Sequence, residues 1–285
     1  MYFKIIIGIV ILSIICIGTW YYFKQPIKAV VEIYHTINND ATKNMVNMKD
    51  LTRKDIMRML NPKKDLISAA VPELQPSIDS TNEVYVINLN KRKDRMQKII
   101  EDFGNSFKIY RTTAIKMVPP QQGCTNSFLR IVKMAKEKKL PTVLIFEDDN
   151  KPEKDFFINW QRVKSYLDSH LDLWEIFNGG QRHISNIQNM IPLNGVKLIK
   201  PTGGHSTNWI YINSNAYDKL LNWESQGKPL IDLWLSGGHF NTWSCYPLLG
   251  LQYSGFSDVE GEERNFDSED KQIREGYTNL LKNYK

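Results

Sequence analysis

Thr142-Val143-Leu144-Ile145-Phe146-Glu147-Asp148-Asp149 is the stretch whose reading decides the fold. Uncharged residues, rich in β-branched side chains, follow the helix breaker Pro141 and run into three consecutive carboxylates. An apolar run this short, bounded in this way, predicts a strand buried on both faces. Upstream, Phe128, Ile131, Val132 and Ala135 recur at helical spacing, and Pro141 ends that helix. Further upstream, Val84–Leu89 repeats the buried-strand pattern and leads into a helix over Lys91–Gly104. There Met96, Ile99, Ile100 and Phe103 share a face, and Gly104 is placed as a stop. Phe107–Tyr110 reads as a second strand. Downstream, Phe156, Trp160, Val163 and Leu167 mark a third helix. Trp174–Phe177, Val196–Ile199 and Asn208–Ile212 read as strands, and Ala216–Trp223 as a helix. Strands alternating with amphipathic helices predict an α/β sandwich with a mostly parallel central sheet. Ligands of such sheets bind beyond the carboxyl ends of the strands.

The 285 residues suffice for one substantial core. A net charge of +6 with a pI near 9.0 raises the question of nucleic acid. However, the basic residues of Lys91–Lys98 and Lys133–Lys139 alternate with apolar positions, as on a solvated helix face, and Asp258–Asp270 is acidic. No nucleic-acid motif is present. Three cysteines build no disulfide framework; Cys124 and Cys245 read as buried thiols, with a pairing between them as the other possibility.

From Ile5 to Phe23 the chain carries no charge. That length of helix spans roughly 28 Å, close to the hydrocarbon thickness of a bilayer. Trp20, Tyr21 and Tyr22 lie at one end, where aromatic rings favour the headgroup region. A cleaved signal peptide would have a shorter apolar run and a small-residue cleavage site, which bulky aromatics replace here. Residues 1–24 therefore read as a single-pass transmembrane anchor. Lys4 on one side and Lys24 and Lys28 on the other leave its orientation open. Residues 25–82, polar and punctuated by Pro62, Pro72 and Pro76, read as a stem or as a layer packed on the domain of residues 83–285.

Three carboxylates after a buried strand repel one another unless a cation, basic groups or water compensate them. Glu147 and Asp149, one residue apart, project from the same strand end and could hold a hard divalent cation bridging a diphosphate. A solvated turn or helix cap at Asp149 is the plainer alternative. Arg92 and Arg95 follow the first strand, where they could meet a diphosphate or form ion pairs with Asp94 or Glu101. Asp232, a carboxylate in an apolar stretch, is either a general base or a helix N-cap. His205 and His239 each follow paired glycines. Gly203-Gly204-His205-Ser206-Thr207 reads as a ligand-facing loop or a plain turn.

Four blocks in order carry a resemblance to a known family. They are Tyr85-Val86-Ile87-Asn88-Leu89-Asn90-Lys91-Arg92-Lys93-Asp94-Arg95; Gly123-Cys124 followed by Val143–Asp149; Asn208-Trp209-Ile210-Tyr211-Ile212-Asn213 with Ala216 and Pro229-Leu230-Ile231-Asp232; and Pro247, Gln252 and Ser257-Asp258. From Val84 to about Gly261 the chain resembles glycosyltransferase family 25, which includes lipooligosaccharide and collagen galactosyltransferases. Ser127-Phe128 stands where that family usually has Ser-His. The resemblance implies a GT-A type fold and transfer of a hexose, galactose or glucose, from a uridine-diphosphate sugar to a hydroxyl, with inversion. It implies Mn²⁺ or Mg²⁺ on Glu147 and Asp149, donor contacts from Asn88, Arg92, Arg95 and Asp148, and Asp232 as base. The acceptor would be a glycan, a lipid-linked glycan or a hydroxylysine. The competing class is an inactive relative serving as a carbohydrate-binding or assembly protein.

Deleting Met1–Phe23 should give a protein that stays in solution without detergent, because no second apolar stretch is long enough to span a bilayer. Recovery of the folded truncation in the membrane pellet would show that the anchor lies elsewhere.

Overall fold

The computed structural model describes residues 46–47, 82–223, 230–236 and 238–284. The anchor of residues 1–24 lies outside the described residues, as does the stem of residues 25–82 apart from Asn82 and the pair 46–47. Among the described residues no helix is long and apolar enough to cross a membrane.

Among the described residues, thirteen strands and six α-helices follow in chain order, apart from the two-residue strand Val46–Asn47, which pairs with Met117–Val118. They are β1 (Glu83–Asn88), α1 (Lys93–Phe103), β2 (Lys108–Thr113), β3 (Met117–Val118), α2 (Pro120–Glu137), β4 (Thr142–Glu147), β5 (Asn150–Pro152) and α3 (Phe156–Asp168). Then come β6 (Ile176–Asn178), β7 (Arg182–Leu193), β8 (Val196–His205), β9 (Trp209–Asn213), α4 (Tyr217–Leu221), α5 (Ile231–Ser236), β10 (Thr242–Tyr246), β11 (Gly250–Gln252), β12 (Gly255–Ser257), β13 (Glu262–Arg264) and α6 (Asp267–Asn283).

Eight strands form one sheet in the order β2-β1-β4-β9-β6-β10-β8-β7. The expected α/β sandwich is present, but its sheet is mixed rather than mostly parallel. β2, β1 and β4 run parallel, as do β6 and β10. β9 runs antiparallel to both β4 and β6, and β8 to both β10 and β7. Apolar runs reveal burial on two faces but not strand direction, which the connections decide.

The two-residue period of each central strand sorts its side chains between two cores. Val84 and Val86 of β1, Leu144 and Phe146 of β4, and Trp209 and Tyr211 of β9 face α1 and α3. There they meet Met96, Ile99, Phe103, Trp160, Val163 and Leu167. Tyr85 and Ile87, Val143 and Ile145, and Ile210 and Ile212 face the other way, onto α2, α4 and α5. Burying a large apolar side chain contributes roughly 1.5–3 kcal/mol, so both layers hold the sheet firmly. A third, smaller core places Ile273 and Tyr277 of α6 against Ile187 and Ile199 of the β7–β8 hairpin.

β7, β10 and α6 have no counterpart in the sequence reading. β7 is a long, bulged edge strand whose side chains are mostly exposed, so it carries no apolar run. β10 is short, and α6 opens on Asp267, Glu269 and Asp270, with a narrow apolar stripe behind them. Gly123 marks another constraint. A Cβ there would stand 2.3 Å from the Ile115 carbonyl oxygen, so only glycine lets the first turn of α2 approach β3 this closely. Gly276 of α6 has open space around its Cβ position.

Gly123→Ala should therefore destabilise the fold by about 1–3 kcal/mol through overpacking. Gly276→Ala should stabilise it by about 0.5–1 kcal/mol through helix propensity. Denaturant titration of the two variants checks both signs.

Candidate active site

β1, β2 and β4 run parallel, so their carboxyl ends share one edge of the sheet. Glu147 closes β4 beside Ile87 of β1, which brings Asn88 next to Asp148. Asn88 is buried and donates to Asp148 Oδ2 at 2.7 Å. Its own Oδ1 accepts from Arg111 Nε at 2.8 Å. Arg95, from α1, donates to Asp148 Oδ1 at 2.9 Å and to Asp149 Oδ2 at 3.3 Å. A chain of charge-assisted bonds thus runs from Arg111 through Asn88 and Asp148 to Arg95. Arg111 was missed by the sequence reading; it is a buried charge in the strand Lys108–Thr113, whose other charge, Lys108, is exposed.

Glu147 is treated differently. Its Oε1 accepts from the Thr207 hydroxyl at 2.6 Å and from the Cys124 thiol at 3.6 Å. Burial pushes its carboxyl up to about 8, the Asp149 charge adds to the rise, and the Thr207 hydrogen bond opposes it. Burial and Asp149 also raise Asp148, to about 6, against the pull of Arg95 and Asn88. Asp149 Oδ1 is buried and has no hydrogen-bond partner among the described residues.

Two cavities flank this strand end. One of ≈ 310 Å³ is walled by Ile87, Leu89, Ala114, Ile115, Met117 and Pro120, with Lys91, Lys116 and Asp258 among the charged groups. The other, of ≈ 280 Å³, is lined by polar and aromatic groups including Arg182, His205, Asp232, Gln252, Tyr253 and Phe266. Arg95, Cys124, Glu147, Asp149, Ser257 and Val259 belong to both. The carboxylates therefore stand on the partition between an apolar and a polar lobe.

Asp232 is the second residue of α5, half-buried, and lines the polar lobe. Its Oδ1 accepts from the Leu233 N–H at 2.8 Å, the next amide. His205 also lines that lobe; burial lowers its pKa and keeps the ring neutral near pH 7. His239 is exposed and lines neither cavity. Arg92 also lies outside both linings, with its guanidinium on Asp94 and Asp258. Arg92 and Arg95 both donate to the Phe256 carbonyl, at 3.1 and 2.8 Å, and so anchor the β12–β13 hairpin over the partition. Cys124 and Cys245 are free thiols.

Among the described residues no three His, Cys, Asp or Glu side chains form a ready metal cage. Two carboxylates are present instead. A hard cation needs about six oxygens, so Glu147 and Asp149 would hold one only with oxygens from a ligand and water. The orphaned Asp149 Oδ1 fits that use, since a buried carboxylate oxygen without a partner is costly.

Compared with known proteins, the chain matches no family model, and no curated protein matches it at a significant level.

Because the folded state holds the Glu147 proton more tightly than the unfolded chain, this group favours folding below its ordinary value of 4.5. That contribution is lost as pH rises towards about 8. Asp148 acts in the same direction over a narrower window, up to about 6. Without divalent cations, Glu147→Gln should flatten the decline in melting temperature between pH of about 5 and 8. A decline of the same slope in the variant would acquit Glu147.

Proposed function

We propose that this chain is a metal-dependent glycosyltransferase of the GT-A type, anchored in a membrane by Ile5–Phe23. It moves a hexose, galactose or glucose, from a uridine-diphosphate sugar to a hydroxyl of a glycan, a lipid-linked glycan or a hydroxylysine. The observation that carries this reading is the position of Glu147 and Asp149 on the wall between two unlike cavities. Both cavities are near the lower end of the ~300–1,000 Å³ range of small-molecule sites. The resemblance of the four sequence blocks to glycosyltransferase family 25 supports it independently.

In this mechanism the apolar lobe takes the nucleoside and the polar lobe takes the acceptor. Glu147 Oε2 and Asp149 Oδ1 would hold Mn²⁺ or Mg²⁺, which neutralises charge on the departing diphosphate. Arg95 stands beside both Asp148 and Asp149, so its guanidinium fixes the carboxylates and adds positive charge at the diphosphate position. Asn88 donates to Asp148 and keeps that carboxylate turned towards Arg95. Asp232, across the polar lobe, accepts the acceptor hydroxyl proton as its oxygen attacks the anomeric carbon. The bond from that carbon to the diphosphate oxygen breaks, and the configuration inverts.

Release of uridine diphosphate by the full chain, measured with and without Mn²⁺ over a panel of sugar donors, tests the reading. Asp149→Ala should lower metal and donor affinity together while stability without metal holds. Asp232→Asn should slow turnover by roughly 10²–10⁴-fold with donor binding unchanged. Donor binding with no turnover on any acceptor would favour a carbohydrate-binding or assembly protein on the same fold. Unchanged metal-dependent donor binding in Asp149→Ala would remove the main support for the assignment.

A further inference from the structure

The end of β8 and its connection to β9, Gly203-Gly204-His205-Ser206-Thr207-Asn208, have a backbone no ordinary turn requires. Gly203 and Gly204 lie at φ +71° and +91°, and Ser206, which has a side chain, lies at φ +97°. A non-glycine residue is held there only when its surroundings over-determine it. Buried asparagines supply that constraint. Asn178 Nδ2 donates to the Ser206 carbonyl at 2.8 Å. The Ser206 hydroxyl donates to Asn208 Oδ1 at 2.6 Å. Asn208 Nδ2 in turn donates to the Leu251 carbonyl at 2.9 Å and to Asn150 Oδ1 at 3.2 Å. Asn150, Asn178 and Asn208 are almost wholly inaccessible to solvent.

His205, Ser206 and Thr207 of this segment line the polar lobe, and Thr207 is the one hydrogen-bonded to Glu147. The β4–β9 ladder pairs Trp209 with Phe146, and the Glu147 amide donates to the Asn208 carbonyl at 3.2 Å. That places Asn208 opposite Glu147, and Thr207, one residue before it and outside the strand, donates its hydroxyl to Glu147 Oε1 at 2.6 Å. The Cys124 thiol reaches that same oxygen, at 3.6 Å. Among the described residues no donor is hydrogen-bonded to Oε2. One oxygen of the carboxylate is tied to the protein and the other is left to the cleft.

We propose that Thr207 is a positioning residue: its hydroxyl fixes Glu147 so that Oε2 faces the partition between the two lobes, ready to ligate the cation that carries the donor diphosphate. This rests on the functional reading above and assigns the glycine-rich loop a role in it. Partners that orient a ligating carboxylate act through the ligand's geometry and basicity.

The test uses the full chain and titrates Mn²⁺ and uridine diphosphate calorimetrically. Thr207→Val removes the hydroxyl at nearly constant volume, Thr207→Ala removes it with the bulk, and Thr207→Ser retains it. The two variants without a hydroxyl should lose about 10–100-fold in Mn²⁺-dependent uridine diphosphate affinity. Thr207→Ser should bind as the unsubstituted protein does, and melting temperatures measured without metal should not follow this order. Equal affinity in Thr207→Val and the unsubstituted protein would overturn the role. So would a Thr207→Ser variant as weak as Thr207→Ala. An unsubstituted protein with no cation-dependent nucleotide binding would instead overturn the functional reading, and the role of Thr207 with it.

Discussion

Charge repulsion among Glu147, Asp148 and Asp149 is the constraint around which the carboxyl edge of the sheet is organised. Three ionised groups on successive residues at the end of a buried strand would oppose folding unless each met a different compensation. Asp148 is neutralised by Arg95 and held by Asn88. Glu147 has its carboxyl pKa raised by burial and takes a neutral hydroxyl as partner. Asp149 shares Arg95 and leaves one oxygen unpartnered. Breaking the symmetry of the triplet leaves one oxygen of Glu147 and one of Asp149 without a hydrogen bond among the described residues.

The compensating groups also join distant parts of the chain. Arg95 binds the triplet with one guanidinium nitrogen and the Phe256 carbonyl with the other. Asp258, on the same hairpin, is paired with Lys91 and Arg92. The β12–β13 hairpin is therefore tied to the turn between β1 and α1, and Ser257 and Val259 complete the walls of both lobes. In the polar lobe Arg182 faces Glu269 at 3.0 Å, and Arg264 faces Glu260 at 3.1 Å. Like Arg95, these arginines meet carboxylates of the protein.

Much of the domain was legible in the order of residues. Apolar runs of four to six residues gave β1, β4 and β9, and i, i+3, i+4 spacing gave α1, α3 and the second half of α2, whose first turns from Pro120 carry no such pattern. Both signals come from burial, which is strong for elements covered on two sides. The edge strand β7 and the helix α6 bury only one side, so their patterns were diluted by polar residues. Arg111 and Thr207 could not be distinguished from ordinary strand and loop residues. Their roles depend on neighbours 23 and 60 positions away.

What the sequence determined by itself was the set of buried surfaces and the presence of three carboxylates at the end of one of them. Both are local properties of residue type and spacing. The tertiary structure decided strand direction, which lobe each carboxylate faces, and which arginines are spent on ion pairs. It drew Arg92 away from the cleft towards Asp258 and brought Asp232 to the lobe that Glu147 and Asp149 border. These outcomes depend on sheet register and loop closure, which link residues with no pattern in common along the chain.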